Sequence, residues 1–195
     1  LIDSARRTGA DGVFGPVEPV YPPDAPRWMV AGRVHRQMVP VNDGAVRTGH
    51  TGNALLRWRG TPWEHVRFRL ALGRSGGEDT SFFATLFARG ARFALSDAAI
   101  VREVVPSQRL TLRWLVARRF RVGQTWGELP STLPHRVRRG GLAVGKAAIC
   151  FAVAVGLLPV ARLRYAWLLR GVMHAGVVAG ALSLPQRALY RVYPP

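Results

Sequence analysis

The sequence has very little cysteine and few acidic residues. Cys150 is the only cysteine among 195 residues, which excludes an intrachain disulfide framework and a cysteine-based zinc site. The five histidines are scattered along the chain without metal-ligand spacing. Lys and Arg number 28 against 11 Asp and Glu, a formal net charge of +17, and almost all of the cations are arginine. This balance favours a partner rich in negative charge, such as nucleic acid, anionic lipid headgroups or a phosphorylated substrate.

An initiator methionine and a signal-peptide pattern are also absent from the start of the sequence. The chain opens at Leu1, and its first nine residues are typical of the end of a helix closed by a glycine. We therefore expect the sequence to be part of a longer protein whose front portion is not included.

Local patterns predict strands and helices in the part of the chain before residue 128. Apolar residues alternate with polar or small ones over 65–72, which favours a half-buried strand. A glycine-rich loop then precedes a helix that begins with two acids and ends at Gly90, with an apolar face of Phe82, Phe83, Leu86 and Phe87. Further strands are predicted at 11–17, 54–58, 93–95 and 99–105, further helices at 28–39 and 107–126, and no regular structure between Pro16 and Pro26.

A long apolar run predicts a membrane segment near the end of the chain. Residues 142–161 include sixteen apolar ones and a single charge, Lys146, and a helix of this length spans about 30 Å. Residues 165–184 form a weaker candidate that contains Arg170 and His174: a second span, a re-entrant helix or an interfacial helix. A buried core helix is the alternative for the first run, but basic residues on both sides favour the membrane. The basic residues before the first run favour a cytoplasmic location of residues 1–140, next to the inner membrane.

Three segments carry a resemblance to a known family: 10–17 (ADGVFGPV), 51–57 (TGNALLR) and 76–83 (GGEDTSFF). In this order and spacing they resemble the second half of family 2 glycosyltransferases, which are inverting enzymes with a GT-A fold. Residues 118–126 (RRFRVGQTW) look like the basic helix that follows the acidic motif. Processive relatives such as cellulose and hyaluronan synthases carry Gln-x-x-Arg-Trp there, and the departure from that motif favours single addition.

The resemblance implies an α/β fold and a division of the chain into three parts. Residues 1–128 would form the acceptor-side, C-terminal half of a GT-A glycosyltransferase domain. A basic linker would follow at 129–141, and one or two hydrophobic helices would make 142–195 a membrane region.

The same resemblance assigns the chemistry to the pair Glu78 and Asp79. In an inverting transfer, a carboxylate removes the proton of the acceptor hydroxyl as that oxygen attacks the sugar. Family position gives this role to Asp79, while Glu78 orients or forms a hydrogen bond. Gly76 and Gly77 would let backbone and acceptor approach closely. The alternative is that both acids only complement the helix dipole.

Other positions are implied to bind substrate. Thr51, Gly52 and Asn53 would lie in a loop lining the acceptor or donor pocket, unless Asn53 is an ordinary turn residue. The arginines of the basic helix would offset the diphosphate charge of the leaving nucleotide, and two neighbours would help to close that site. These residues are Arg118, Arg119, Arg121, Gln124 and Trp126. The alternative is an interfacial helix whose arginines meet lipid phosphates.

The family also requires an Asp-x-Asp motif that holds a divalent metal, Mg or Mn, on the donor diphosphate. This chain contains no such motif and no nucleotide-binding half, so we expect both before Leu1 and expect the chain alone to be inactive. The predicted partners are a nucleotide-sugar donor, a lipid-linked or saccharide acceptor and the membrane. Nucleic acid is not expected, because the cations are spread along the chain without a recognisable nucleic-acid fold.

Two other functions compete with this prediction. Residues 73–77 match Gly-x-Ser-x-Gly between a predicted strand and a helix, and Asp97 and His135 follow in the order of an α/β-hydrolase triad with Ser75 as nucleophile. No oxyanion-hole glycine run precedes that motif. The second alternative is a basic, membrane-associated module without catalysis.

Overall fold

The computed structural model describes residues 1–73, 76–129 and 132–186, which form a mixed α/β fold, as the sequence predicts. The chain divides into two compact units. The first comprises Leu1–Val20, His35–Gly73 and Gly77–Val104. The second is built from Tyr21–Val34, Gly76 and the described residues from Val105 onward. The basic helix after Val105 belongs to the second unit, and the division into 1–128, 129–141 and 142–195 stays a prediction.

The first unit is a small set of sheets with two helices. Its helices are α1 (Ile2–Thr8) and α3 (Glu78–Ala88), and its strands are β1 (Gly12–Phe14), β2 (Val17–Val20), β3 (Val41–Asn42), β4 (Ala45–Val46), β5 (Ala54–Leu56), β6 (Phe93–Leu95) and β7 (Val101–Val104). Strand β1 is central in the largest sheet, antiparallel to β5 and parallel to β6. Strands β2 and β7 pair in parallel, and β3 and β4 form a hairpin.

An aromatic cluster joins α3 to the central sheet. The rings of Phe14 and Phe83 meet edge to face with centroids 4.8 Å apart, and Phe14 meets Phe93 in the same way at 5.3 Å. Phe82, Phe83 and Leu86 are buried, as the predicted apolar face of this helix requires. The aromatic contacts therefore fix the position of α3 against β1.

The strand predicted at 65–72 is wrong. This stretch has no strand pairing and ends in a 3-10 turn at Leu70–Leu72, with Leu70 93% exposed. The stretch is a loop beside α3, in which Phe68 stacks on Phe82 with ring centroids 4.1 Å apart. Val66 is buried, whereas Phe68 and Leu70 are exposed, so the alternation in the sequence does not correspond to an alternation of burial.

Two predictions before residue 40 also need correction. The helix predicted at 28–39 is the short α2 (Arg27–Gly32), which ends where Arg33 takes a left-handed backbone with φ 46°. The prolines after Pro16 do not prevent regular structure, because β2 includes Pro19. On the edge away from β7, β2 has only an isolated bridge between Val17 and Gln37. Most of this edge therefore needs no backbone N–H donor, which is the group that proline lacks.

The second unit is helical. Besides α2, it contains α4 (Leu112–Glu128), α5 (Leu133–Gly156) and α6 (Ala161–Ala181). Both α4 and α5 pack against α6. A smaller apolar cluster of Met29, Leu115 and Leu169 joins α2, α4 and α6.

Helix α5 begins nine residues before the predicted apolar run, at Leu133 rather than 142. The basic cluster at 136–139 therefore forms part of its first turns, and Arg136 donates to the carbonyl of Gly180 at 3.0 Å. Helix α5 is the one helix in the described part of the chain that is long and apolar enough to cross a membrane. Helix α6 covers most of the weaker candidate at 165–184.

Candidate functional site

The three segments that carry the family resemblance, apart from Gly76, come together in the first unit. Strand β1, from the first segment, pairs with β5, from the second, in the register Phe14 to Ala54. Just beyond this pair, the N–H of Gly15 donates to the carbonyl of Asn53 at 3.0 Å. The third segment forms the start of α3. Side chains that are distant in sequence thus share one end of the central sheet.

Two glycines shape the entry to α3. Gly76 and Gly77 have φ values of 85° and 83°, in the left-handed region that favours glycine. Gly77 precedes the helix without a capping side chain, so Glu78 and Asp79 occupy the first turn. Carboxylates there interact favourably with the positive end of the helix dipole. The glycine pair therefore has a conformational requirement, apart from any contact with substrate.

The Asp79 carboxylate is held by one residue of the neighbouring loop. The backbone N–H of Thr51 donates to Oδ2 at 3.2 Å, and the Thr51 hydroxyl lies 3.1 Å from both Oδ1 and Oδ2. Thr51 is exposed and Asp79 is half-buried. A carboxylate carries about four lone-pair positions, so several stay available for an incoming hydroxyl.

Glu78 lies in different surroundings from its neighbour. Its Oε2 atom is buried and has no hydrogen-bond partner among the residues that the structure describes. A buried carboxylate oxygen without a partner is costly. The two adjacent acids therefore differ, one held and partly open to solvent, the other with an unsatisfied oxygen inside the protein.

Asn53 is buried and ties separate segments together. Its amide nitrogen donates to the carbonyl of Ala99 at 2.6 Å and to that of Pro16 at 3.2 Å. Gly15 fits beside it because a Cβ there would lie 2.1 Å from the Ala99 oxygen. The Asn53 side chain therefore has a structural role, the cross-linking of these segments, in addition to the pocket-lining role that the resemblance implies.

We expect Asn53→Ala to lower the free energy of unfolding by about 2–3 kcal/mol, because the hydrogen bonds of the buried amide to Ala99 and Pro16 are both lost, and of these two carbonyls the one of Pro16 keeps the N–H of Val101 as a donor. Asn53→Asp should cost at least as much, since a carboxylate oxygen would then face both carbonyls. Asn42→Ala, at an exposed position of the β3–β4 hairpin, is the matched control. Chemical unfolding measures all three, and equal stability of the Asn53 and Asn42 variants would contradict this account.

Thr48 was not singled out from the sequence. Its side chain is buried, and its hydroxyl donates to the carbonyl of Thr80 in the first turn of α3 at 2.9 Å. Gly49 follows it, and a Cβ there would lie 2.2 Å from the Phe14 ring. The sequence offered one weak signal, the threonine and glycine pattern over 48–52 that leads into Asn53.

The candidate residues of α4 lie in the second unit. Arg119 donates to the carbonyl of Val34 at 3.2 Å, and burial, followed by the charge of Arg118, lowers the pKa of its guanidinium. Arg118 also lies over the Trp114 ring, 5.1 Å from its centroid. Trp126 is half-buried.

The remaining two candidates of α4 are buried in the helical unit. Arg121 donates to the Thr125 hydroxyl at 2.7 Å and to the Gln186 side chain at 3.3 Å. The Gln124 amide lies 3.4 Å from each of the carbonyls at 184 and 185. These contacts connect α4 to the chain after α6. The N–H groups of Arg121 and Gln124 named here bond to protein atoms. Contact with a diphosphate therefore requires other N–H groups of these two side chains.

The residues of the alternative hydrolase triad are only partly described. Ser75 lies outside the described residues. Asp97 belongs to the first unit, while His135 lies in α5 of the second, with Nδ1 3.0 Å from the Thr132 hydroxyl. Within 1–73, 76–129 and 132–186, no group of three His, Cys, Asp or Glu side chains is placed to hold a metal ion.

Comparison with known proteins identifies a relative of this chain. It is 44% identical over 193 residues to the succinoglycan biosynthesis protein ExoM of Rhizobium meliloti (strain 1021). The aligned region covers 97% of this chain and 62% of ExoM, so the chain spans less than two thirds of that relative. No protein-family model matches the sequence, and no solved structure matches it significantly.

Proposed function

We propose that this chain is the acceptor-side part of an inverting glycosyltransferase of the hexosyltransferase type. The full protein would transfer a sugar from a nucleotide-sugar donor to a lipid-linked or polysaccharide acceptor. The observation that carries the proposal is the contact of Thr51 with Asp79, a half-buried carboxylate at the start of α3, which is the helix that Phe83 packs against Phe14 of β1. The similarity to ExoM supports it, because that name belongs to a polysaccharide-biosynthesis protein.

In the proposed reaction, Asp79 accepts the proton of an acceptor hydroxyl. The hydroxyl oxygen forms a bond to the anomeric carbon as the bond from that carbon to the diphosphate oxygen breaks, with inversion. The electron pair of the broken bond stays on the nucleoside diphosphate, and the proton stays on Asp79. The resemblance assigns Arg118, Arg119 and Arg121 to offsetting the charge of a leaving diphosphate, and this assignment stays a prediction.

The metal that the resemblance implies does not fit the residues described here. A divalent ion, Mg or Mn, would neutralise charge on the donor diphosphate, but the described chain supplies no group of ligands for it. We propose that those ligands belong to the rest of the full-length protein, together with the donor-binding half.

We further propose that α5 attaches the protein to the inner membrane, with the catalytic part in the cytoplasm. One face of α5 is lined by small buried residues, while Leu142, Val144, Ile149 and Val155 are more than half exposed. An apolar surface of this kind suits the hydrocarbon interior of a bilayer. The arginines at 136–139 suit the anionic headgroups next to it.

A donor screen tests the proposed function. Membranes containing the full-length protein are incubated with UDP-, GDP- and dTDP-sugars labelled in the sugar, and label is measured in lipid and polymer fractions. We expect transfer from one donor class that is absent from membranes of the same host without the protein. If no donor gives protein-dependent product, while the protein hydrolyses p-nitrophenyl acetate and Ser75→Ala abolishes that hydrolysis, the serine hydrolase replaces our proposal.

A further inference from the structure

We infer that Thr51 is a positioning residue for the proposed base, and that it aligns the Asp79 carboxylate rather than binding substrate. This inference rests on the proposed function, in which Asp79 receives the proton. The resemblance implied a substrate contact for Thr51, whereas the contacts that the structure gives to its hydroxyl and N–H both end on Asp79.

The geometry restrains both carboxylate oxygens. The Thr51 hydroxyl carries one proton and donates to one oxygen at a time, although it lies 3.1 Å from each. The backbone N–H reaches Oδ2 at 3.2 Å. When the N–H holds Oδ2, the hydroxyl is free to hold Oδ1, so the two donors together oppose rotation of the carboxylate plane. Without the hydroxyl, one donor would remain at one oxygen.

The loop that carries Thr51 is anchored on both sides, independently of Asp79. Before it, the buried Thr48 hydroxyl bonds to the Thr80 carbonyl, and after it the buried Asn53 amide bonds to Pro16 and Ala99. These anchors do not involve the Thr51 side chain, which is itself exposed. A change of that side chain should therefore leave the loop and the fold in place.

A base that rotates freely presents the right lone pair to the acceptor for only part of the time. Loss of alignment lowers the rate of proton removal, while donor and acceptor bind as before. Thr51 should therefore affect kcat and leave KM nearly unchanged. A substrate contact would give the opposite pattern, because removing uniform binding raises KM.

The test compares Thr51→Val and Thr51→Ala, which lack the hydroxyl, with Thr51→Ser, which keeps it. Thr85→Val is the matched control, since the Thr85 hydroxyl bonds only within α3, to the Ser81 carbonyl at 2.8 Å. Each full-length variant is assayed in membranes with the nucleotide sugar that is turned over in the screen described above, and its melting temperature is measured. We expect kcat to fall roughly tenfold for Val and Ala with KM unchanged, and to recover for Ser.

Three results would overturn the inference: a raised KM at constant kcat, wild-type kinetics of the Val and Ala variants, or a Ser variant as slow as Val. Each of these leaves the proposed function intact as long as Asp79→Asn is inactive. Full activity of Asp79→Asn would instead remove the proposed function itself. Because Ala adds no new methyl group near the carboxylate, it decides the question if the Val variant proves unstable.

Discussion

Asp79→Asn is expected to lower the kcat of sugar transfer by roughly 10³-fold, with the melting temperature unchanged. In the native protein, Thr51 donates to both carboxylate oxygens of Asp79. The asparagine side chain has the same shape, and its single oxygen still accepts a hydrogen bond from Thr51. An amide has no lone pair basic enough to take the proton of an acceptor hydroxyl. The loss should therefore fall on the chemical step alone and leave the KM of the donor unchanged.

Two acidic positions serve as controls for this result. Asp43→Asn changes an exposed carboxylate of the β3–β4 hairpin, which is 89% exposed, and should leave activity at the wild-type level. Glu78→Gln tests the neighbouring acid and should cost much less than Asp79→Asn, because its Oε2 is buried away from solvent. An Asp79→Asn protein that keeps a tenth or more of wild-type activity would rule out Asp79 as the base.

The sequence predicted those elements whose signals are local. Helix α3 is marked at both ends, by acids in its first turn and by Gly90, and its buried face has helical spacing, so its position follows from residues 78–90 alone. Strand β6 was predicted at the residues where it occurs, Phe93–Leu95. The strand at 65–72 was predicted wrongly, because an alternating sequence cannot show whether a partner strand exists, and without one Phe68 and Leu70 are exposed.

The start of α5 shows that a hydropathy pattern alone can misplace the beginning of a helix. Counting apolar residues placed the helix at 142, since arginines interrupt the run before that point. Arginine is a good helix former, and its charge does not end a helix. The proline in the first turn, Pro134, was the better signal for the start. The arginines at 136–139 are accommodated because one of them reaches the carbonyl of Gly180.

The candidate site could be predicted only in part. Family resemblance selected Asp79 and the Thr51 loop, but it gave no indication that they contact each other. That contact joins residues 28 positions apart, in a 3-10 turn and a helix, through short polar side chains. It depends on where the Phe14 cluster places α3 and where Asn53 places the loop. Such contacts follow from tertiary packing, which no local pattern records.

Close packing of α4 on α6 was also missed, although its signal was in the sequence. Gly123 and Gly127 on α4 have a spacing of four, as do Gly176 and Gly180 on α6, and small residues at this spacing let helix backbones meet. A Cβ on Gly176 would lie 2.0 Å from the Phe120 carbonyl oxygen, and one on Gly123 would lie 2.0 Å from that of Met173. Backbone oxygens cannot move aside as side chains do, so either substitution must push the helices apart.

We therefore expect Gly176→Ala and Gly123→Ala each to lower the free energy of unfolding of the second unit by about 2–4 kcal/mol. Gly145→Ala in α5 is the matched control, because its Cβ would meet no atom within 4 Å. It should be neutral or stabilising, by up to about 1 kcal/mol, since alanine favours a helix interior over glycine. Unfolding of the detergent-purified protein, followed by circular dichroism, measures all of these variants.

The double variant distinguishes backbone contact from two unrelated local effects. Each of the two Cβ atoms would also approach the other helix's glycine, at 2.9 Å from Gly176 Cα and at 3.1 Å from Gly123 Cα. Once the helices have separated to admit one methyl group, the second needs little further movement. The double variant should therefore lose clearly less stability than the sum of the single losses, because residues in contact are not additive. Additive losses, or a Gly176→Ala protein as stable as Gly145→Ala, would mean that the two backbones do not meet at these glycines.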